Sequence, residues 1–259
     1  MDIKTYRERR ELLKQQEPKF RTRCWACTQP EFSCFCKHVE RFNSNIDFVI
    51  LIHPLEVRRR IATGRMSHLC LENSFLLKGQ DFSENEVIDR LLADQTRHCV
   101  VLYPGKSSVN LTDLEIPERQ SIFPATKKLT IFVIDGTWTT ARKMIRSHNL
   151  INLPRICFTP VKPSNFRVRK QPAAFCLSTI EAIHHTIELI GESQGLDVSQ
   201  RPHDKLLKVF DSMVELQLDF INRSSSKTTS WRALAHRKAK EAQQAEKAAK
   251  IKEKKSLRL

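Results

Sequence analysis

Short apolar runs alternate along the chain with stretches whose apolar positions recur every three or four residues. The runs Ile46–Ile52, Cys99–Tyr103, Leu129–Ile134 and Ile156–Thr159 are nearly uninterrupted, as expected of strands covered on both faces, and Phe175–Leu177 is a weaker fifth. Helices are predicted between and after them. Ser83-Glu84-Asn85-Glu86 reads as a capping box opening a helix that continues through Leu92, and Thr137–Arg146 follows the third run. Ser178-Thr179-Ile180-Glu181 is a second capping box, followed by Ala182, Ile183, Ile187 and Ile190 at helical spacing. A last helix is expected from about His203 to Phe220, with Leu206, Val209, Phe210, Met213, Leu216 and Phe220 on one stripe. Strands alternating with helices predict an α/β domain with a mainly parallel sheet, and no internal repeat is visible.

Composition narrows the chemistry. The six glycines never fall close enough to write G-x-G-x-x-G or a phosphate-cradling P-loop, and no G-x-S-x-G elbow occurs. A glycine-fingerprint dinucleotide site, a P-loop NTPase and a serine hydrolase of that type are therefore not expected. The apolar runs fall far short of the ~18 residues of a membrane helix. The first residues lack the apolar stretch of a signal peptide, so a cytoplasmic location is expected. The 259 residues carry a net charge of +15, which points to a polyanionic partner. That charge is concentrated at the ends. Residues 232–259 hold ten Lys/Arg against three Glu, and residues 1–23 hold eight Lys/Arg against four acidic groups. The Ala-, Lys-, Glu- and Gln-rich stretch 233–255 has little to bury. It reads either as a solvated tail or as an arm for phosphates.

Four of the eight cysteines form Cys24-x2-Cys27-x6-Cys34-x-Cys36. Two close pairs of thiolates suit a closed tetrahedral Zn2+ site of the structural kind. A redox pair is the competing reading, as is His38 in place of one thiolate. Cys70, Cys99, Cys157 and Cys176 sit in apolar surroundings, where a thiol behaves as a small hydrophobe.

The segment Ile131-Phe132-Val133-Ile134-Asp135-Gly136-Thr137-Trp138 ends a buried strand in an Asp, turns at Gly136 and enters a helix. Ligands of open α/β sheets bind at the carboxyl ends of strands, which would set Asp135 at the mouth of a site. The same spacing also fits an Asp that merely caps the next helix, and Trp138 fits a core aromatic equally well.

Asp135-Gly136-Thr137-Trp138 resembles the signature of the DTW-domain tRNA-uridine aminocarboxypropyltransferases. Further stretches agree in order. They are the cysteine cluster, His53-Pro54-Leu55-Glu56-Val57-Arg58 with Thr63-Gly64-Arg65-Met66, Tyr103-Pro104, Ser164 with Arg167-Val168-Arg169, and Leu177-Ser178-Thr179-Ile180-Glu181-Ala182. Ala62 departs from the Asn that many members carry before the Thr-Gly pair. The resemblance implies a SPOUT-like α/β fold with a knotted C-terminal part and an N-terminal zinc knuckle. It implies S-adenosylmethionine as donor of a 3-amino-3-carboxypropyl group to N3 of a uridine in tRNA, with release of methylthioadenosine. A SPOUT-type RNA methyltransferase and a non-catalytic zinc-containing RNA-binding protein are the competing functions.

The expected division is a basic extension 1–23, a four-cysteine zinc knuckle 24–45, a catalytic domain 46–222 and a basic tail 223–259. On the resemblance, Asp135, Thr137 and Trp138 are the catalytic candidates, with Asp135 taking or orienting the N3 proton of uracil. Leu102, Tyr103, Pro104 and Gly105, together with Ser178, Thr179 and Glu181, are expected around the donor. A helix N-terminus suits an anion there, although a plain capping box explains the same side chains. His53, Glu56, Arg58, Arg65, Arg142, Arg167 and Arg169 are expected on the tRNA side, where solvated or ion-paired arginines are the bland alternative. Cys24, Cys27, Cys34 and Cys36 are the expected metal ligands.

Overall fold

The computed structural model describes residues 22–59, 61–169 and 176–225. Six strands form one sheet: β1 (Asp47–Ile52), β2 (Ser74–Lys78), β3 (Arg97–Leu102), β4 (Val109–Asn110), β5 (Lys128–Asp135) and β6 (Arg155–Cys157). Their order is β2-β1-β5-β3-β6-β4, and every neighbouring pair is parallel. The helices are α1 (Pro54–Val57), α2 (Thr63–Cys70), α3 (Glu86–Ala93), α4 (Ile116–Ser121), α5 (Trp138–Met144), α6 (Thr179–Ile190) and α7 (Asp204–Ser225). One compact unit ends at Val214 and a second begins at Glu215.

The apolar runs predict the centre of this sheet well. All six residues of β1 are buried, and so is nearly all of β5, because helices cover both faces. One face packs Val49, Leu51, Val101 and Phe132 against Phe82, Ile88, Leu91 and Met144. On the other, α2 lies against α6, with Met66, Cys70, Ile183 and Ile187 wholly buried. Asp47 opens β1 as a buried charge and is neutralised by Arg97 at 2.5 Å and Lys128 at 3.2 Å. Across the sheet's other end, Ile52 is in register with Asp135, so both strands stop together and leave the carboxylate at their carboxyl edge.

Several expectations need correction. Asn85, not Ser83, caps α3: its Oδ1 accepts from the Val87 and Ile88 amides, while the Ser83 hydroxyl donates to Asp81. Asp135 is not a helix cap, since Thr137 caps α5 by accepting from the Thr140 amide. Cys176 and Leu177 are not strand residues. Phe175, residues 1–21 of the basic extension and residues 226–259 of the tail lie outside the described residues. The edge strand β2, the two-residue β4 and helices α1, α2 and α4 were not anticipated. Ser178 and Glu181 do form the expected capping box at the start of α6.

The start of α7 is tied to α6 by polar contacts. His184 meets Asp204 at 2.8 Å, His203 meets Glu188 at 2.5 Å, and Arg201 reaches both carboxylates. Among the described residues no helix is long and apolar enough to cross a membrane.

Candidate active site

Asp135 is buried, with every polar contact supplied by elements that converge at the carboxyl edge of the sheet. Thr179, the first residue of α6, donates its hydroxyl to Oδ1 at 2.7 Å. The Gly64 amide in the first turn of α2 donates to Oδ2 at 3.2 Å. Glycine is required at that position, because a Cβ there would stand 2.5 Å from Oδ2 and 3.0 Å from Ile50 Cγ2. Burial is the main influence on the carboxyl and raises it. Thr179 pulls the other way, the nearby Glu56 charge raises it further, and the Gly64 amide and Arg169 lower it. The balance leaves it pushed up from 3.8 to about 6.

Two cavities with common walls lie at this edge of the sheet, and the carboxylate lines one of them. The polar one, about 350 Å3, is lined by Thr63, Asp135, Thr137, Thr139, Phe166, Arg169 and Ser178. The more apolar one, about 320 Å3, is lined by Leu102, Tyr103, Pro104, Val133, Ile134, Ala141, Cys157, Phe158, Pro160 and Ala182. They share Gly136, Trp138, Cys176, Leu177 and Thr179 as walls. Trp138 is 40% exposed, so it is a wall of both cavities and not a core aromatic.

Most of the residues expected from the sequence gather here, though in different capacities. Leu102, Tyr103 and Pro104 line the apolar cavity, while Gly105 is exposed beyond it, its α-carbon turned toward Ser108 and Arg155. Ser178 lines the polar cavity, but its hydroxyl is engaged by Glu181. The Glu181 carboxylate accepts from the Ser178 and Asn165 amides and the Ser164 hydroxyl, which ties the 164–165 loop to α6. His53 caps α1, with Nδ1 accepting from the Leu55 amide, and its own amide donates to the Asp135 carbonyl. Glu56 is buried and holds Arg169 with two contacts, 3.3 and 3.4 Å, and Arg59 at 3.6 Å. Arg58, Arg142 and Arg167 are exposed.

Arg65 faces elsewhere. It is buried, and its guanidinium donates to the Cys27 carbonyl at 3.3 Å and to the Thr28 hydroxyl. Thus neighbouring residues of α2 hold the Asp135 carboxylate and the cysteine loop. Gln29 adds a bond to the Arg59 carbonyl at 3.3 Å. In that loop the four thiols converge, Cys24 on Cys36 and Cys27 on Cys34 each at 3.6 Å, with all four sulfurs within 4.8 Å of one another. A tetrahedral zinc with Zn–S near 2.3 Å sets its sulfurs about 3.8 Å apart, so the cluster fits such an ion. His38 is not part of the convergent group. The amides of Cys27 and Ala26 lower the Cys24 thiol to about 6, whereas burial raises the Cys27 and Cys36 thiols.

Sequence reasoning missed Gly64 and Thr63 as site residues, and it read Cys176 as plain packing. A backbone amide carries no side-chain signal; the only pointer was the Thr63-Gly64 pair itself.

A family model described as the DTW domain matches residues 21–218. The chain is 25% identical over 203 residues to tRNA-uridine aminocarboxypropyltransferase 2 of Mus musculus, covering 76% of this chain and 64% of that protein. It is 28% identical over 212 residues to the protein of the same name from Drosophila melanogaster, covering 78% and 77% of the two chains. Against that of Macaca fascicularis it is 24% identical over 205 residues, covering 77% and 65%. The chain therefore spans slightly less than two thirds of the mouse and macaque relatives. No solved structure matches it. With the Asp-Gly-Thr-Trp stretch at the end of β5 and a match spanning most of the sequence, this chain belongs to the DTW-domain family.

Proposed function

We propose that the protein transfers the 3-amino-3-carboxypropyl group of S-adenosylmethionine to N3 of a uridine in tRNA, releasing methylthioadenosine. The observation that carries this reading is a buried carboxylate lining a polar cavity that shares five wall residues with an apolar one. The apolar cavity suits an adenosyl group, with Tyr103 and Trp138 as aromatic walls and Leu102 and Pro104 beside them. The polar cavity suits the donor's tail and an extruded uracil. The donor supplies a sulfonium-activated carbon; the chain's own residues do the rest.

Uracil N3 is a weakly acidic imide whose proton must leave as the new bond forms. Asp135, pushed up to about 6, is a better proton acceptor than an ordinary Asp and is still ionised at neutral pH. Thr179 and the Gly64 amide fix its two oxygens. Thr137 caps the helix that carries Trp138. Exposed Arg58, Arg142 and Arg167 suit the tRNA backbone, whose contacts are largely to phosphate. Zn2+ in the Cys24–Cys36 cluster would be structural, with all four positions filled by thiolates and the loop held to α2 through Arg65. Residues 24–45 are then the zinc module and 46–222 the catalytic domain, with a knotted C-terminal part and a cytoplasmic location completing the reading.

The inert RNA-binding alternative needed Asp135 to be a cap, and Thr137 fills that place. Incubation of the purified protein with S-adenosylmethionine and tRNA lacking the modification tests the proposal. The expected result is a uridine heavier by one aminocarboxypropyl group together with methylthioadenosine. A methylated nucleoside together with S-adenosylhomocysteine would overturn it in favour of a methyltransferase.

A further inference from the structure

The donor's tail ends in a carboxylate, which a half-buried cavity accepts only if a cation meets it. Resting on the function proposed above, we infer that Arg169 is the receptor for that α-carboxylate and that Glu56 is the positioning residue that aims it. Arg169 is the one Lys or Arg among the described residues lining the polar cavity. Asp135 shares that cavity but has the same charge sign as the ligand group, and its oxygens are taken by Thr179 and Gly64.

The donors left on Arg169 support the same assignment. Glu56 is a single buried carboxylate shared by two guanidiniums, Arg169 and Arg59. Arg169 uses one N–H on each terminal nitrogen toward Glu56, at 3.3 and 3.4 Å. A guanidinium has five N–H groups, so Arg169 keeps donors for a second carboxylate. Its side chain is 36% exposed while that of Glu56 is 4% exposed, so the acid anchors from behind and the guanidinium faces the opening. Phosphates of a bulky polyanion are better met by the exposed Arg58 and Arg142.

The charge of Arg169 is also felt at Asp135, where it favours the ionised form. A ligand carboxylate on Arg169 would partly cancel that influence and raise the basicity of Asp135.

Equilibrium binding of three ligands to the full-length protein tests this. They are S-adenosylmethionine, its decarboxylated form, and methylthioadenosine, which lacks the whole tail. The wild type is expected to prefer S-adenosylmethionine over the decarboxylated form by roughly 10- to 100-fold, the range of a charge-assisted contact. Arg169→Gln should reduce that preference to within about threefold while leaving methylthioadenosine affinity unchanged. Arg169→Lys, with charge but no fork, and Glu56→Gln should fall between. The inference is overturned if Arg169→Gln keeps the wild-type preference, if it weakens all three ligands equally, or if its only effect is on tRNA affinity. A wild type that binds neither S-adenosylmethionine nor methylthioadenosine would instead remove the proposed function itself, and this inference with it.

Discussion

Replacing Asp135 by Asn should make the protein more stable at alkaline pH and much less active. Unfolded, the carboxyl titrates near its ordinary 3.8; folded, it titrates near 6, because burial outweighs the hydrogen bonds from Thr179 and Gly64. Below pH 3.8 both states hold the proton and ionisation costs nothing. As the pH rises through 6, the unfolded chain has already released its proton and the folded chain must carry the charge, so stability is lost across that window. A shift of roughly two pH units corresponds to about 3 kcal/mol. Asn occupies the same volume and stays neutral. Its Oδ1 can accept from the Gly64 amide while its NH2 donates to the Thr179 oxygen, so both bonds survive. Urea unfolding at pH 8 should therefore find Asp135→Asn more stable by about 2–3 kcal/mol, with the difference fading toward pH 4. Turnover should drop at least about 100-fold, as expected when a general base is lost. A variant less stable than wild type at pH 8, or a difference independent of pH, would refute the account of a strained ionised carboxylate. Retained turnover would refute its catalytic assignment.

Three other changes probe the same frame. Gly64→Ala drives a methyl into Asp135 Oδ2 and Ile50, and should cut kcat/KM at least about tenfold while costing about 1–3 kcal/mol in urea unfolding. Thr179→Val removes the hydroxyl that favours ionised Asp135, so the acid limb of the kcat/KM profile should move to higher pH. Chelator treatment should lower the Tm by several degrees, and adding Zn2+ back should restore it in the wild type but not in Cys27→Ser.

The centre of the fold was readable because its signal is physical and local. A strand buried on both faces must be apolar throughout, and β1 and β5 are. The edge strand β2, Ser74-Phe75-Leu76-Leu77-Lys78, has one partner and half-exposed faces, so it carries neither a long apolar run nor a clear alternation. Helix α2 was invisible for another reason. It buries Thr63, Gly64, Arg65 and Ser67, and the Gly64 amide and Arg65 guanidinium are satisfied through tertiary contacts that no periodicity encodes. Ser83 and Asn85 both had cap chemistry, and only the three-dimensional start of α3 decided between them. In the site, Asp135 was legible from its position at the end of an apolar run. The assignment of Arg65 to RNA was not supported by its placement, since charge alone cannot distinguish a solvated arginine from one buried against carbonyl oxygens. Glu56 and Arg169 were each visible, but their pairing across 113 residues was not.

Because Gly64 and Arg65 are consecutive, the segment that carries them has a fixed phase. One inserted residue turns a helix by about 100°, which would swing the amide off the carboxylate and the guanidinium off the cysteine loop in a single event. Length changes should consequently be tolerated in the exposed turn 124–127, which enters β5 at the opposite end of the strand from Asp135. Anyone shortening, lengthening or permuting this chain should cut there and leave the stretch from His53 to Cys70 untouched.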